Sequence, residues 1–453
     1  MSTFTPPRDL AEWHRRDLGV LWHPCTQMAE HPETLPLIPI RSGHGVWLEA
    51  IDGNRYLDAI SSWWTNLFGH SEPRIAAAIA RQAGTLEHVI FAGFSHEPGL
   101  QLAERLCALA PDGLTRVFYA DNGSAAVEIA LKMSFHSFAN RGMAGRNRFM
   151  ALQNSYHGET LGALSMADIP LYRRVYAPLL LEPLFAPSPD AFGKSEGETD
   201  ADCAMRAAAG LEVLVEKHQH ELCALILEPL VQCAGGMRMY HPVYLSEARR
   251  ICERFGIHLI ADEIAVGFGR TGTFFACEQA GIRPDFLCLS KGLTGGFLPM
   301  SAVLTTEAVF ADFLSDERSR GFLHSHSYTG NPLGCAAALA SLDIFAQDDI
   351  LVRNRATARQ MGVLAATLQD HPNLQQVRQT GMIVAFELGR DRRTAFDAAE
   401  RRGLRAYRAG LERGVLLRPL GDILYWMPPY CIRPEELELL AAATQQAIEE
   451  ACR

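Results

Sequence analysis

Over most of its length the chain alternates short apolar runs with amphipathic stretches. The clearest runs cover 116–120, 148–152, 222–227, 257–260 and 286–289, apolar at successive positions and not at every second one. Such strands are buried on both faces, so the pattern predicts a mostly parallel sheet covered by helices. From Glu72 the apolar positions Ile75, Ile79 and Ala83 recur at helical spacing. Ahead of them, 45–49 and 56–59 flank Asp52-Gly53-Asn54, residues that tolerate positive φ, and this predicts a hairpin. Residues 182–202 carry Pro183, Pro187, Pro189, Gly193 and Gly197 among acids and serines, and read as a surface loop. Beyond Asn331-Pro332, helices are predicted over 336–345 and 351–370, strands at 382–387, 415–418 and 423–427, and a last helix from Pro434. The fold class implied is α/β. A large domain with a mostly parallel central sheet spans 71–345. A smaller α+β domain spans 346–453, and the N-terminal segment 1–70 joins it.

Composition narrows the function classes. A formal charge of −10 without any basic stripe argues against a nucleic-acid partner. Eleven cysteines include no pair two residues apart, which argues against zinc sites and redox dithiols. The odd count and the polar, charged residues 1–16 predict reduced thiols in a cytoplasmic protein. No apolar run reaches the roughly 18–20 residues that span a bilayer, so no membrane partner is expected.

Four features stand at the ends of predicted strands, where open α/β sheets bind ligands. Asp121-Asn122-Gly123-Ser124-Ala125 opens a helix, and small residues there leave N–H groups free to hold a phosphate. An ordinary N-cap reads the same way. Tyr156, in Asn154-Ser155-Tyr156-His157-Gly158, suits stacking on a flat ring or plain burial in a core. Asp262 ends an apolar strand, where a carboxylate keeps a pyridine nitrogen protonated, and Ile264 is placed to pack on the ring face. Lys291 follows 285–288; a desolvated amine there suits Schiff-base chemistry, and the plain alternative is a lysine reaching the surface. Two motifs carry less. Gly267-Phe268-Gly269-Arg270-Thr271-Gly272 matches G-x-G-x-x-G, but no clear helix opens on its last glycine. His324-Ser325-His326 reads as a hydrogen-bonded turn, and no metal is expected.

With these residues the chain resembles the class III (fold-type I) aminotransferases from about Trp22 to Pro434. The stretch from Leu259 to Gly272, followed by Ser290-Lys291-Gly292-Leu293-Thr294-Gly295-Gly296, is similar to that family's cofactor signature. The resemblance implies pyridoxal 5'-phosphate as cofactor. Lys291 would bind it covalently, Asp262 pair with its ring nitrogen, and Gly123 and Ser124 hold its phosphate. Tyr156 and Ile264 would flank the ring. It also implies that Ser327 reaches the cofactor phosphate from a second subunit, in a homodimer with shared active sites, and that His326 contacts the cofactor.

Within the class, three segments resemble those of aminotransferases acting on small-molecule substrates, and that resemblance implies an acceptor that is an amino-oxo acid with an apolar chain. The segments are Ser61-Ser62-Trp63-Trp64, Glu228-Pro229 through Pro242, and Leu417-Arg418 through Tyr430. Trp63, Trp64, Tyr156 and Tyr425 would line the pocket with Cys25 and Ser325, and Arg418 would meet the substrate carboxylate. Aromatic faces attract cations, so S-adenosylmethionine is the expected amino donor. Other ω-aminotransferase specificities (lysine, a diamine, β-alanine, pyruvate) are the alternative, and a mutase or decarboxylase on the same fold a more distant one. Cys25 stands where the family leads one to expect a tyrosine, Glu159 where aspartate is commoner, and Ser325-His326-Ser327 where Gly-Pro-Thr is usual.

Overall fold

The protein is described by a computed structural model covering residues 9–31 and 33–453; residues 1–8 of the expected N-terminal segment lie outside the described residues. Seven strands form the central sheet, in the order Leu114–Ala120, Ser301–Thr306, Phe286–Leu289, His258–Asp262, Leu222–Leu227, Arg148–Leu152 and Leu184–Ala186. Ser301–Thr306 runs antiparallel to both neighbours, and the other pairings are parallel. All five runs read as strands in the sequence belong to this sheet.

Burial on both faces explains why these strands are continuously apolar. Successive side chains point into two separate cores. Leu259, Ala261, Leu287, Leu289, Ala302 and Leu304 enter one, while Ile260, Phe286, Cys288 and Val303 enter the other. The second core is closed by helix Gly123–Asn140, the first by helices that include Asp200–His218 and Val243–Phe255. A buried leucine is worth about 1.5–3 kcal/mol, so a polar substitution at Leu225 or Leu287 would break the sheet's contact with its helices.

Two regions correct the sequence reading. Residues 182–202 are not all loop: Leu184–Ala186 is the sheet's edge strand, and helix Asp200–His218 starts with a capping box between Thr199 and Asp202. Pro183 and Pro187 bracket that strand, a placement an edge tolerates because a missing N–H there breaks no ladder. Ser301–Thr306 went unread because its Ser and Thr residues mask a strand whose every position is buried.

The chain ends meet. The predicted hairpin forms between Trp47–Ala50 and Arg55–Asp58, Ile40–His44 extends it, and Val415–Leu416 adds in parallel to Arg55–Asp58. The strand expected over 415–418 therefore stops two residues early, and Leu417 and Arg418 leave the sheet. Strands Leu374–Thr380, Ile383–Leu388 and Ile423–Trp426 form an antiparallel sheet beside helix Pro434–Cys452. No helix among the described residues is long and apolar enough to cross a membrane.

Candidate active site

The parallel strands deliver their carboxyl ends to one edge of the sheet, and a cavity of about 220 Å³ lies there. Seven of the residues singled out in the sequence line it: Trp64, Gly123, Ser124, Tyr156, Asp262, Ile264 and Lys291. Asn122, His157 and Glu228 line it as well.

Helix Gly123–Asn140 points its N-terminus into this space. Asn122 caps it by accepting from the Ala125 N–H at 3.0 Å, while Gly123 and Ser124, the first residues of the helix, have N–H groups without intrahelical partners. Two glycines are fixed by close approach. A Cβ on Gly123 would stand 2.9 Å from Ile264 Cγ2, and one on Gly158 only 2.0 Å from Ser124 Oγ. That hydroxyl accepts from the Glu159 N–H at 2.9 Å. The free N–H groups at the helix start are donors of the kind that hold an anion.

Asp262 ends its strand, and Ile264 lies in the turn that follows, which brings it into the cavity. One carboxylate oxygen of Asp262 accepts from the Ile264 N–H at 3.1 Å, and the other lies 2.7 Å from His157 Nδ1. Both residues are buried, and His157 Nε2 is buried without a partner. Glu228, also buried, accepts from the N–H groups of Tyr156 at 3.0 Å and Cys233 at 2.9 Å. Burial pushes its carboxyl up to about 7; His157 opposes the rise and Asp262 adds to it.

Lys291 follows the strand end as expected, but opens a short 3-10 turn, Lys291–Thr294, at φ 36°. A left-handed backbone at a non-glycine residue is strained and typical of functional positions. Its Nζ sits 4.9 Å from the centre of the Trp64 ring. Desolvation holds its pKa below the ordinary lysine value, against the pull of Asp262, Cys233 and Glu228.

The adjacent tryptophans face different spaces. Trp64 is buried beside Lys291 and donates from Nε1 to the Tyr425 hydroxyl at 3.0 Å. Trp63 lines a neighbouring cavity of about 440 Å³ and stacks on the Arg418 guanidinium, 4.4 Å from the ring centre. The turn carrying them, Ser61–Trp64, has positive φ at all four residues, at about 1–2 kcal/mol each.

Tyr156 donates its hydroxyl to Glu159 at 2.7 Å, and its ring meets the edge of Tyr172 at 5.9 Å. Cys25 is exposed at φ 53°; partial burial of its thiol raises its pKa, Glu159 adds to the rise and Arg418 opposes it. Ser325, His326 and Ser327 do not line the 220 Å³ cavity. His326 Nδ1 lies 3.1 Å from Asp121, His324 pairs with Lys132 at 2.9 Å, and Ser325 and Ser327 are exposed.

Comparison with known proteins now adds to this geometry. The family model described as "Aminotransferase class-III" matches residues 28–448. The chain belongs to the class-III aminotransferases. It is 45% identical over 443 residues to the adenosylmethionine-8-amino-7-oxononanoate aminotransferase of Helicobacter pylori, covering 96% of this chain and 97% of that one. A crystal structure of the enzyme of that name from Methanocaldococcus jannaschii superimposes with a TM-score of 0.92 at 36% identity, over 98% of this chain and 99% of that one. An ω-transaminase from Pseudomonas jessenii in complex with PMP gives 0.91 at 27% identity, over 97% and 98%.

In this class-III aminotransferase, sequence reasoning missed two residues that shape the cavity. Glu228 follows an apolar strand just as Asp262 does, and the same rule applied twice would have found it. His157 carried no such signal, since its partner Asp262 lies 105 positions away.

Proposed function

We propose that this class-III aminotransferase converts 8-amino-7-oxononanoate to 7,8-diaminononanoate in biotin biosynthesis, with S-adenosylmethionine as the amino donor. The names of the relatives support the reaction. The observation that carries the reading is a guanidinium and an amine set on the two adjacent tryptophans of one turn. Arg418, with no ion pair among the described residues, stacks on Trp63, and the Lys291 amine faces Trp64. An apolar chain with a carboxylate at one end and a reacting carbonyl at the other matches aromatic walls between two such groups.

Pyridoxal 5'-phosphate fits the cavity. The helix start offers anion donors, and His157 Nε2 is a buried atom still without a partner. Gly123 and Ser124 would hold its phosphate, Asp262 would pair with its ring nitrogen, and Ile264 and Tyr156 would flank its ring. Bound there, the cofactor supplies a carbonyl for amines and a ring that takes up electrons. Lys291 Nζ, its pKa lowered by desolvation, is the group that accepts and returns the proton. His157 fixes the orientation of Asp262, and Glu228 fixes the backbone of Tyr156.

In this reading Ser325, His326 and Ser327 serve the site of a second copy in a homodimer, and this is supported by their place outside their own chain's cavity beside exposed Leu323 and Tyr328. The N-terminal segment up to 70 joins the small domain 346–453 around the large domain 71–345, a division supported by the sheet in which Val415–Leu416 pairs with Arg55–Asp58. The deciding experiment follows the first half-reaction by cofactor absorbance, with S-adenosylmethionine and lysine side by side. Conversion by S-adenosylmethionine is expected. Conversion by lysine alone would overturn the donor.

A further inference from the structure

The turn Ser61–Trp64 contains no glycine or asparagine, yet all four residues are left-handed, with φ of 51°, 45°, 73° and 71°. Serine and tryptophan do not choose that conformation by themselves, so it has to be imposed from outside the turn. Two ties hold the turn: the Ser61 hydroxyl donates to the Met427 carbonyl at 2.7 Å, and Ser62 with the backbone just before the turn binds Asp58, a fully buried carboxylate at the end of strand Arg55–Asp58. Its Oδ1 accepts from the Ile60 N–H at 3.2 Å, just before the turn. Its Oδ2 accepts from the Ser62 hydroxyl at 2.7 Å, inside the turn, and lies 3.0 Å from His70 Nε2. His70 is itself fixed, its backbone paired both ways with Gly45 and its Nδ1 3.1 Å from the Asn66 amide nitrogen. The strand holds Asp58 in place, so the carboxylate is a rigid post to which the turn is tied.

We propose that Asp58 is a positioning residue for substrate binding: by holding the Ser61–Trp64 turn left-handed, it places Trp63 against Arg418 and Trp64 against Lys291 and Tyr425. The turn separates the two cavities, so its shape sets the span between the cation that takes the carboxylate and the amine that reacts. Without the carboxylate, a serine hydroxyl and a backbone N–H lose their acceptor in a buried setting, and the turn relaxes toward right-handed geometry. The inference rests on the proposed function only for the identity of the substrate.

The test uses the purified holoenzyme and two readouts, the KM for 8-amino-7-oxononanoate and the near-ultraviolet circular dichroism of the tryptophans. Asp58→Ala is expected to raise that KM about tenfold, with a smaller change in kcat, and to alter the tryptophan band. Asp58→Asn keeps one acceptor oxygen and should fall between. Adding Ser62→Gly to Asp58→Ala should bring the KM back toward wild type, because glycine takes the left-handed region without restraint. An unchanged KM and band in Asp58→Ala would overturn the proposal. So would losses in kcat and KM that Ser62→Gly leaves untouched, since those describe general destabilisation. If Asp58→Ala does not fold, Asp58→Asn with and without Ser62→Gly makes the same comparison. If the wild-type enzyme does not turn over this keto acid, the proposed function falls, and the tryptophan band still decides the role of Asp58.

Discussion

His157 Nδ1 lies 2.7 Å from Asp262 Oδ2 in a buried pocket, while the other Asp262 oxygen takes the Ile264 N–H. The carboxylate is therefore held from both sides, and its orientation belongs to the protein before any ligand arrives. Asp262→Asn should keep bound cofactor, seen by absorbance, and lose about a hundredfold or more in kcat, because an amide does not hold a ring nitrogen protonated. His157→Ala should cost less, about tenfold, by freeing Asp262 to turn. Near wild-type turnover in Asp262→Asn would remove the role assigned to it.

Lys291→Ala should abolish borohydride fixation of the cofactor, which for the wild type is read by mass spectrometry of the denatured chain. The motive is a desolvated amine at the strand end, facing the cavity. Covalent fixation in the variant would place the bond on another lysine.

Arg418→Ala should raise the KM for 8-amino-7-oxononanoate by about 10–100-fold, the worth of a hydrogen-bonded charge pair at roughly 1.5–3 kcal/mol. The effect on an analogue lacking the carboxylate should be small. Equal losses for both would make Arg418 a structural partner of Trp63.

Glu228 gives a pH prediction. Burial raises its folded pKa to about 7, above the ordinary 4.5. Stability tied to this group is therefore complete below pH 4.5 and lost as pH rises toward and through 7, by about 3 kcal/mol at most. Glu228→Gln carries no such loss, although it gives up one acceptor for the N–H groups of Tyr156 and Cys233. The Tm of the variant relative to wild type should then climb between pH 5 and pH 8. A constant difference across that range would show that Glu228 stays ionised throughout.

Much of this protein is legible in short windows. Leu222–Leu227 reads as a strand buried on both faces because all six residues are apolar, and all six are buried. Lys291 and Asp262 stand out because charge is costly beside apolar strands unless it is used. These are local costs, and local composition records them.

What composition does not record is which distant atoms meet. Ser301–Thr306 looks polar in isolation, and only its antiparallel place between Leu114–Ala120 and Phe286–Leu289 buries it. Trp64 and Tyr425 are 361 positions apart and share a hydrogen bond, while Trp63, next in sequence to Trp64, faces another cavity. The left-handed turn that parts them is unfavourable for its own residues, so no propensity predicts it. The sequence by itself determined the five apolar strand runs and the family, because each is recorded in side-chain type along short windows. Only the tertiary structure decided the aim of the residues at the site, because strained turns and buried hydrogen bonds draw their stability from partners elsewhere in the chain.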